Sequence, residues 1–316
     1  MNKKISLAMT TYNGEKFLRE QLESIYSQTR VPDEVIVCDD NSSDGTIQIL
    51  EEYRQNKGLI YYVNKPALGV NSNFYKAISL CTGDYIALSD QDDIWLPNKI
   101  ETTFNKMREI DSGMPCAVSS QCIDVDASGT PFGEKTKKND SSSYASSLLG
   151  IGLGQGCSLM MNRSLVDVVL KSKDANPNFN KIMYDAFISY SAAMLGRKYN
   201  LGNELMLYRH HANNVDAKEP GFKLSFKERA KIRYDFPQFI PDGRFEQLTI
   251  IYEYHKNSIK DPRIHKLLNN ISKIYYSKSY MAKYYYLMRV KEYSYMHKIH
   301  LVLNSLVSIT LKKVYM

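Results

Sequence analysis

The chain lacks most of the features that assign a protein quickly. Its five cysteines, Cys38, Cys81, Cys116, Cys122 and Cys157, are odd in number and include no Cys-x-x-Cys pair. That argues against a disulfide framework and a zinc site, and for a reducing compartment. No stretch reaches the roughly 18 to 20 apolar residues that a membrane span needs. The opening "MNKKISLAMTTYNG" starts basic, but Ser6 and two threonines interrupt its apolar run, so it fails as a secretory signal and reads as a strand. There is no GxxxxGK[ST] loop and no GxGxxG after the first strand, which removes the usual phosphate cradles of NTPases and dinucleotide enzymes. No internal repeat is visible.

What is present is ordinary globular usage over 316 residues, 43% hydrophobic and 24% charged, enough for one large domain or a domain with an appendage. The charge is unevenly spread. Residues 1–216 carry 22 Lys and Arg against 26 Asp and Glu, whereas residues 217–316 carry 19 against 8. The basic tail is either a solvated face or a surface for an acidic partner.

Along the first half, apolar runs and helical periods alternate. "ISLAMTTYN" (5–13) reads as a strand, and residues 15–28 place Phe17, Leu18, Leu22, Ile25 and Tyr26 at helical spacing. "DEVIVCDD" is a strand closing on Asp39 and Asp40; "TIQILEEYRQN" is a helix, "LIYYVNK" a strand, "GVNSNFYKAISLC" a helix and "DYIALSD" a strand. Continuous rather than alternating apolar strands imply a parallel sheet covered on both faces, hence an α/β fold. Residues 131–147 are turn-rich, 151–162 read as a strand entered through glycines, 181–196 as a helix with Asp185 in its first turn, and 204–214 as a strand running into His210 and His211.

Ligands of open parallel sheets bind beyond the carboxyl ends of the strands. Thr10 to Asn13, Asp39 to Ser42 and Asp90 to Asp93 should therefore share one rim. Three carboxylates in four positions, Asp90, Asp92 and Asp93, repel one another unless a cation sits among them. Asp90 and Asp92 suit a hard divalent ion, which uses one or two carboxylates and completes its shell with water and phosphate oxygens. Asp40 is placed to take a hydrogen bond from a base or ribose, and Thr10 with Tyr12 to hold a nucleotide from the other side. Tyr12 is either such a contact or a packing residue, Gly154 and Gly156 are either functional or plain turn residues, and Asp185 is either a base or a helix-dipole partner. Trp95 either stacks on a sugar or anchors the core.

In their order, "MTTYNGEKFLREQLESIYSQT", "EVIVCDDNSSDGT", "GDYIALSDQDDIWLPNKI" and "LYRHHANN" resemble a bacterial glycosyltransferase of family 2. The resemblance covers roughly residues 4–215 and implies the GT-A nucleotide-diphospho-sugar transferase fold, with a mostly parallel, Rossmann-like sheet. Within the family, "SDQDDIWLP" is similar to rhamnosyltransferase-like O-antigen and capsule enzymes. Carried over by position, Asp90-Gln91-Asp92 matches the DxD motif, with Asp92 on Mn²⁺ or Mg²⁺ and Asp90 nearer the ribose and sugar. Thr10, Tyr12 and Asp40 match nucleotide contacts, Asp185 the catalytic base of inverting members, and His211 a residue near the diphosphate or metal. Gly156 matches a position where the backbone approaches donor and acceptor. His210 reads as structural.

Two departures stand out. Tyr184 precedes Asp185 where many relatives have an acidic residue or histidine, and Asn71 and Asn73 stand where some relatives place an arginine, as weak substitutes for a pyrophosphate contact. The resemblance implies an inverting, metal-dependent transfer from a UDP- or dTDP-sugar to a hydroxyl of a glycan, lipid-linked or glycoprotein acceptor in cell-surface polysaccharide synthesis. The alternative is a non-catalytic nucleotide-sugar-binding or scaffold protein. A catalytic domain over 1–218 would precede a helical, Tyr-rich region over 219–316. That region, with its apolar stretch at 299–311, suits docking on an anionic membrane surface or an oligomer interface, and no nucleic-acid reader motif accompanies it. The expected location is the cytoplasm, with peripheral attachment to the inner face of the membrane.

Overall fold

The computed structural model describes residues 3–132, 140, 141, 148, 154–175, 182–212 and 242–277. The chain divides into two compact units, Met1–Gly221 and Phe222–Met316.

The first unit begins with the alternation that the periodicity predicts: β1 (Ile5–Thr11), α1 (Leu18–Tyr26), β2 (Glu34–Asp39), α2 (Thr46–Lys57), β3 (Ile60–Val63), α3 (Val70–Leu80) and β4 (Tyr85–Ser89). A two-residue strand β5 (Ile94–Trp95), helix α4 (Lys99–Ile110) and the long β6 (Cys116–Val125) follow. A 3₁₀ turn (Gly156–Ser158) leads to β7 (Leu159–Asn162), α5 (Arg163–Ala175), α6 (Tyr184–Leu195) and β8 (Arg197–Arg209). β8 starts well before the strand expected at 204.

The eight strands form one sheet in the order β3-β2-β1-β4-β7-β6-β8-β5. The first four are parallel. Beyond them the sheet is mixed, with β7 antiparallel to both β4 and β6, β8 parallel to β6, and β5 antiparallel to β8. Register brings three carboxyl ends together, since Thr11 lies opposite Asp39 and Met9 opposite Ser89.

Side chains alternate across a strand. One face of the sheet therefore presents Ile5, Leu7, Met9, Val35, Val37 and Ala87 to Leu18, Leu22 and Ile25 of α1, Leu50 of α2 and Phe104 and Met107 of α4. Residues of the other face, Ala8, Ile36, Ile86 and Leu88, are equally buried, and α3 packs on β1 and β2. Burial on both faces is why these strands read as unbroken apolar runs. Trp95 belongs to this core at 2% exposure, with the Lys99 ammonium 4.4 Å from its ring centroid, which settles it as an anchor. Helix α2 ends on Gly58 in the left-handed region (φ 71°), where a side chain would be strained.

In the second unit, α7 (Asp242–His255) and α8 (Pro262–Tyr276) pack on each other. Asp261 caps α8 through the Arg263 amide, and Pro262 occupies its first turn, where a missing N–H costs nothing. Tyr252 Oη and His265 Nδ1 lie 2.9 Å apart. No helix among the described residues is long and apolar enough to cross a membrane. The stretch 299–311 lies outside the described residues.

Candidate active site

At the aligned strand ends is a cleft of about 470 Å³. Its wall includes Thr10, Thr11 and Tyr12 at the end of β1, Asp40 after β2, Asp90, Gln91 and Asp92 after β4, Gln155 and Gly156 before β7, Met183, Tyr184 and Asp185 at the start of α6, and Tyr208 of β8. Seven of the residues singled out by motif thus share one cavity. Tyr12 is 58% exposed, so it is no packing residue.

The Asp90 to Asp93 turn is held from several sides. Gln91 Oε1 accepts the Tyr12 amide at 2.8 Å, and its Nε2 donates to the Tyr12 carbonyl at 3.0 Å. Asp92 Oδ2 lies 2.8 Å from His211 Nε2, and the imidazole stacks on Phe17 with centroids 4.8 Å apart. His211 lies behind Asp92 rather than in the cleft wall. Arg209, only 2% exposed, donates from Nε to the Asp92 carbonyl (2.8 Å), from Nη1 to Ala127 O (2.9 Å) and from Nη2 to Glu20 Oε2 (2.5 Å). Asp93 accepts the Arg209 amide on Oδ1, so it pins the end of β8. His210 is buried, 2.8 Å from Asp124 and edge-on to Phe132 and Tyr208, a structural histidine as expected.

Burial, with the charge of Asp92 added, pushes the Asp90 carboxyl up to about 7, and burial together with Asp90 and Asp92 raises Asp93 well above the carboxylate range. The Asp93 carboxylate is buried beside the Cys157 thiol. Asp90, Asp93 and Cys157 bring ligand-type atoms within 4.8 Å of one another. Burial raises the Cys157 thiol well above its usual value, so it stays protonated, and neither Cys157 nor Asp93 lines the cleft. Asp90 and Asp92 do, and their hard oxygen donors fit a divalent cation that also meets a ligand there.

Asp40 stands in the cleft wall with most of its hydrogen-bonding capacity in use. Oδ1 accepts from Leu68 N (2.6 Å) and Asn64 Nδ2 (2.9 Å), and Oδ2 from Gly69 N (2.8 Å). A carboxylate offers about four lone-pair sites. About one is left for a ligand. The two asparagines are engaged in bonds within the fold, although Asn73 also lines the cleft. Asn73 donates to the Cys38 carbonyl and accepts from Asn64. Asn71 donates to Ile182 O and accepts from Tyr184 N, both at 3.0 Å, and so fixes the start of α6.

That helix start carries Asp185, whose Oδ1 accepts the Ala186 amide at 2.7 Å. Its neighbour Tyr184 is 5% exposed, stacks on Phe74 with centroids 3.9 Å apart, and has its phenol pKa raised well above normal by burial and by the charges of Asp90 and Asp185. A Cβ on Gly156 would overlap the Tyr184 hydroxyl and come within 2.5 Å of its Cζ. The space that Gly156 leaves open is therefore filled by Tyr184. Tyr208, Gln155 and Met183 are cleft residues that motif reading passes over, although the first two sit inside "LYRHH" and "GLGQG".

Comparison with known proteins decides the family. Residues 6–170 match the model of glycosyl transferase family 2. The chain belongs to that family. It is 28% identical over 237 residues to the dTDP-rhamnosyl transferase RfbG of Shigella flexneri, a match spanning 71% of this chain and 79% of the relative. Over 103 residues it is 33% identical to the UDP-Glc:alpha-D-GlcNAc-diphosphoundecaprenol beta-1,3-glucosyltransferase WfgD of Escherichia coli, covering 33% of this chain and 40% of that enzyme. Among solved structures, S. aureus TarS 1–349 in complex with UDP superposes with a TM-score of 0.59 at 16% identity, over 98% of this chain and 91% of that one. The mannosyltransferase PcManGT of Pyrobaculum calidifontis, in complex with GDP-Man and Mn²⁺, gives 0.50 at 15% identity, over 98% and 88%. At these identities the likeness is one of fold, and the fold is GT-A. As a family-2 member the chain is a glycosyltransferase whose family-matched segment, residues 6–170, supplies the strand ends of Thr10, Asp40, Asp90 and Asp92, while Asp185 and His211 lie beyond it.

Proposed function

We propose that the protein is an inverting, metal-dependent glycosyltransferase that moves a sugar from a UDP- or dTDP-sugar to a hydroxyl of a glycan or lipid-linked acceptor in cell-surface polysaccharide synthesis. One observation carries the reading: a single cleft joins the carboxylates Asp90 and Asp92, at the end of β4, to Asp185, in the first turn of α6. The first pair suits a cation and a diphosphate, and the third suits proton removal.

Asp92 and Asp90 would hold Mn²⁺ or Mg²⁺. When bound, the ion neutralises charge developing on the leaving diphosphate. Tyr12, open to solvent beside Thr10, offers its ring to the base, and the free capacity of Asp40 serves the base or ribose. His211 orients the Asp92 carboxylate from behind. Asp185 takes the proton from the acceptor oxygen as it attacks the anomeric carbon from the face opposite the leaving group. The relative RfbG, named for dTDP-rhamnosyl transfer, supports a deoxyhexose donor as one arm of the test. The basic C-terminal region is proposed to seat the enzyme on an anionic inner membrane surface near such acceptors. Liposome flotation of the full chain against one ending before residue 220 tests that part.

The test is a panel of UDP- and dTDP-sugars scored for Mn²⁺-dependent binding and hydrolysis, since hydrolysis needs no acceptor. Asp92→Ala should abolish the metal-dependent part of donor binding. Asp185→Asn should leave donor binding intact and lower turnover by about 10² to 10⁴. A wild-type protein that neither binds nor hydrolyses any donor would leave a non-catalytic scaffold as the better reading.

A further inference from the structure

Tyr184 is the residue at which this chain departs from the acidic or histidine neighbour of the base, and its surroundings give the departure a use. The ring is clamped. Phe74 stacks on one face, Asn71 Oδ1 accepts the Tyr184 amide, and Gly156 stands so close to the hydroxyl that no Cβ fits between them. The residue is more than nine-tenths buried yet lines the cleft. Such confinement leaves the phenol little freedom to turn elsewhere. Asp90 and Asp185 line the same cleft as Tyr184, and their charges act on its phenol.

We infer that Tyr184 binds the transferred sugar directly, its phenol hydrogen-bonding a ring hydroxyl of the donor sugar. Two physical points favour this over a packing role. A clamped ring has already lost its rotamer entropy, so the hydrogen bond to a ligand forms at little further ordering cost. A hydroxyl held in place in a cleft wall also gains from a directional partner, and a sugar hydroxyl, both donor and acceptor, fits whichever role the two carboxylates leave open. Gly156 belongs to the same device, because any side chain there would push the phenol out of line.

The inference rests on the nucleotide-sugar reading of the cleft, and the experiment separates the two. Full-length wild type and Tyr184→Phe are titrated calorimetrically with UDP-glucose and dTDP-rhamnose, and with UDP and dTDP as sugar-free controls, all with Mn²⁺. Phenylalanine keeps the stack on Phe74 and removes only the hydroxyl. The expected result is a loss of about 3- to 10-fold in affinity for the sugar nucleotide that wild type prefers, the yield of one neutral hydrogen bond, with UDP and dTDP affinities unchanged. Equal weakening of sugar-bearing and sugar-free ligands would make Tyr184 a structural residue and overturn the inference, as would unchanged affinity for all four. If wild type itself binds none of the four ligands, the nucleotide-sugar reading falls and takes this one with it.

Discussion

Replacing Arg209 with methionine should destabilise the first unit substantially, and the structure allows the size to be worked out. The guanidinium makes three hydrogen bonds, to Asp92 O, Ala127 O and Glu20 Oε2, and lies 4.8 Å from the Phe17 ring centroid. Methionine keeps much of the apolar stem. The Glu20 side chain is 55% exposed and returns to water when its partner goes, so that pair contributes little to the loss. The Ala127 carbonyl belongs to an exposed turn and can likewise turn to water, whereas the Asp92 carbonyl is half-buried, and an acceptor left there without a donor costs about 1–3 kcal/mol. The expected loss is therefore about 1–3 kcal/mol. For a unit of this size each kcal/mol lowers Tm by about 2–4 °C, which gives a drop of about 2–12 °C. The chain's single tryptophan, Trp95, sits in the core beside this turn, so its fluorescence during heating reports on the right unit. Mn²⁺ affinity should fall as well, because the Asp92 backbone is no longer held. A variant that melts within about 1 °C of wild type and binds Mn²⁺ equally would refute the reasoning, since roughly 0.5 kcal/mol or less would then be at stake.

Gly156→Ala should lower stability by about 1–3 kcal/mol through overpacking against Tyr184; urea melts of Gly156→Ala, Tyr184→Ala and the double variant should show the glycine substitution becoming nearly neutral once the ring is gone. Lys198 gives a pH prediction. Burial lowers its pKa to about 7, and among the described residues its ammonium donates to Ser119 Oγ, Asn200 Oδ1 and the Tyr199 carbonyl. The unfolded chain, with a lysine pKa of about 10.4, then binds more protons than the folded chain between these values, so this residue makes stability rise with pH from about 7 upward, by at most about 1.4 kcal/mol per unit, and contributes no slope below 7. Lys198→Met should flatten that rise in urea melts between about pH 7 and pH 9.5, and identical slopes in the two proteins would count against it.

What could be read beforehand was whatever a short stretch of chain determines by itself. Strands buried on both faces must be apolar throughout, so β1, β2 and β4 announced themselves and their polar ends marked the rim. The first turn of α6 followed from its helical period. Contacts between distant segments carried no such signal. The pairing of Asn71 with the start of α6 depends on how α3 and α6 meet, and nothing in "GVNSNF" distinguishes an asparagine bound for a helix start from one bound for a phosphate. Glu20 and Arg209 are equally remote in sequence. The turn of the sheet to antiparallel at β7 was hidden for another reason, because a four-residue apolar strand reads the same in either direction. Gly156 was seen as a gap, but what fills the gap could not be seen. Helix α4 and strand β6 lie in a stretch where no motif drew attention.

The Gln91 contact with Tyr12 has a consequence for the middle letter of the Asp-x-Asp signature. A primary amide carries the same donor and acceptor as a peptide unit, so Gln91 works as one extra rung of the ladder between β1 and β4, added where the backbone has already turned away. The nominal spacer between the two carboxylates thereby welds the loop after β1 to the loop after β4. A glutamate would present an oxygen to the Tyr12 carbonyl in place of the N–H, and a shorter amide would lack the reach. In this chain the signature is legible as three specified letters, with the central one fixing the spacing between the two strand-end loops.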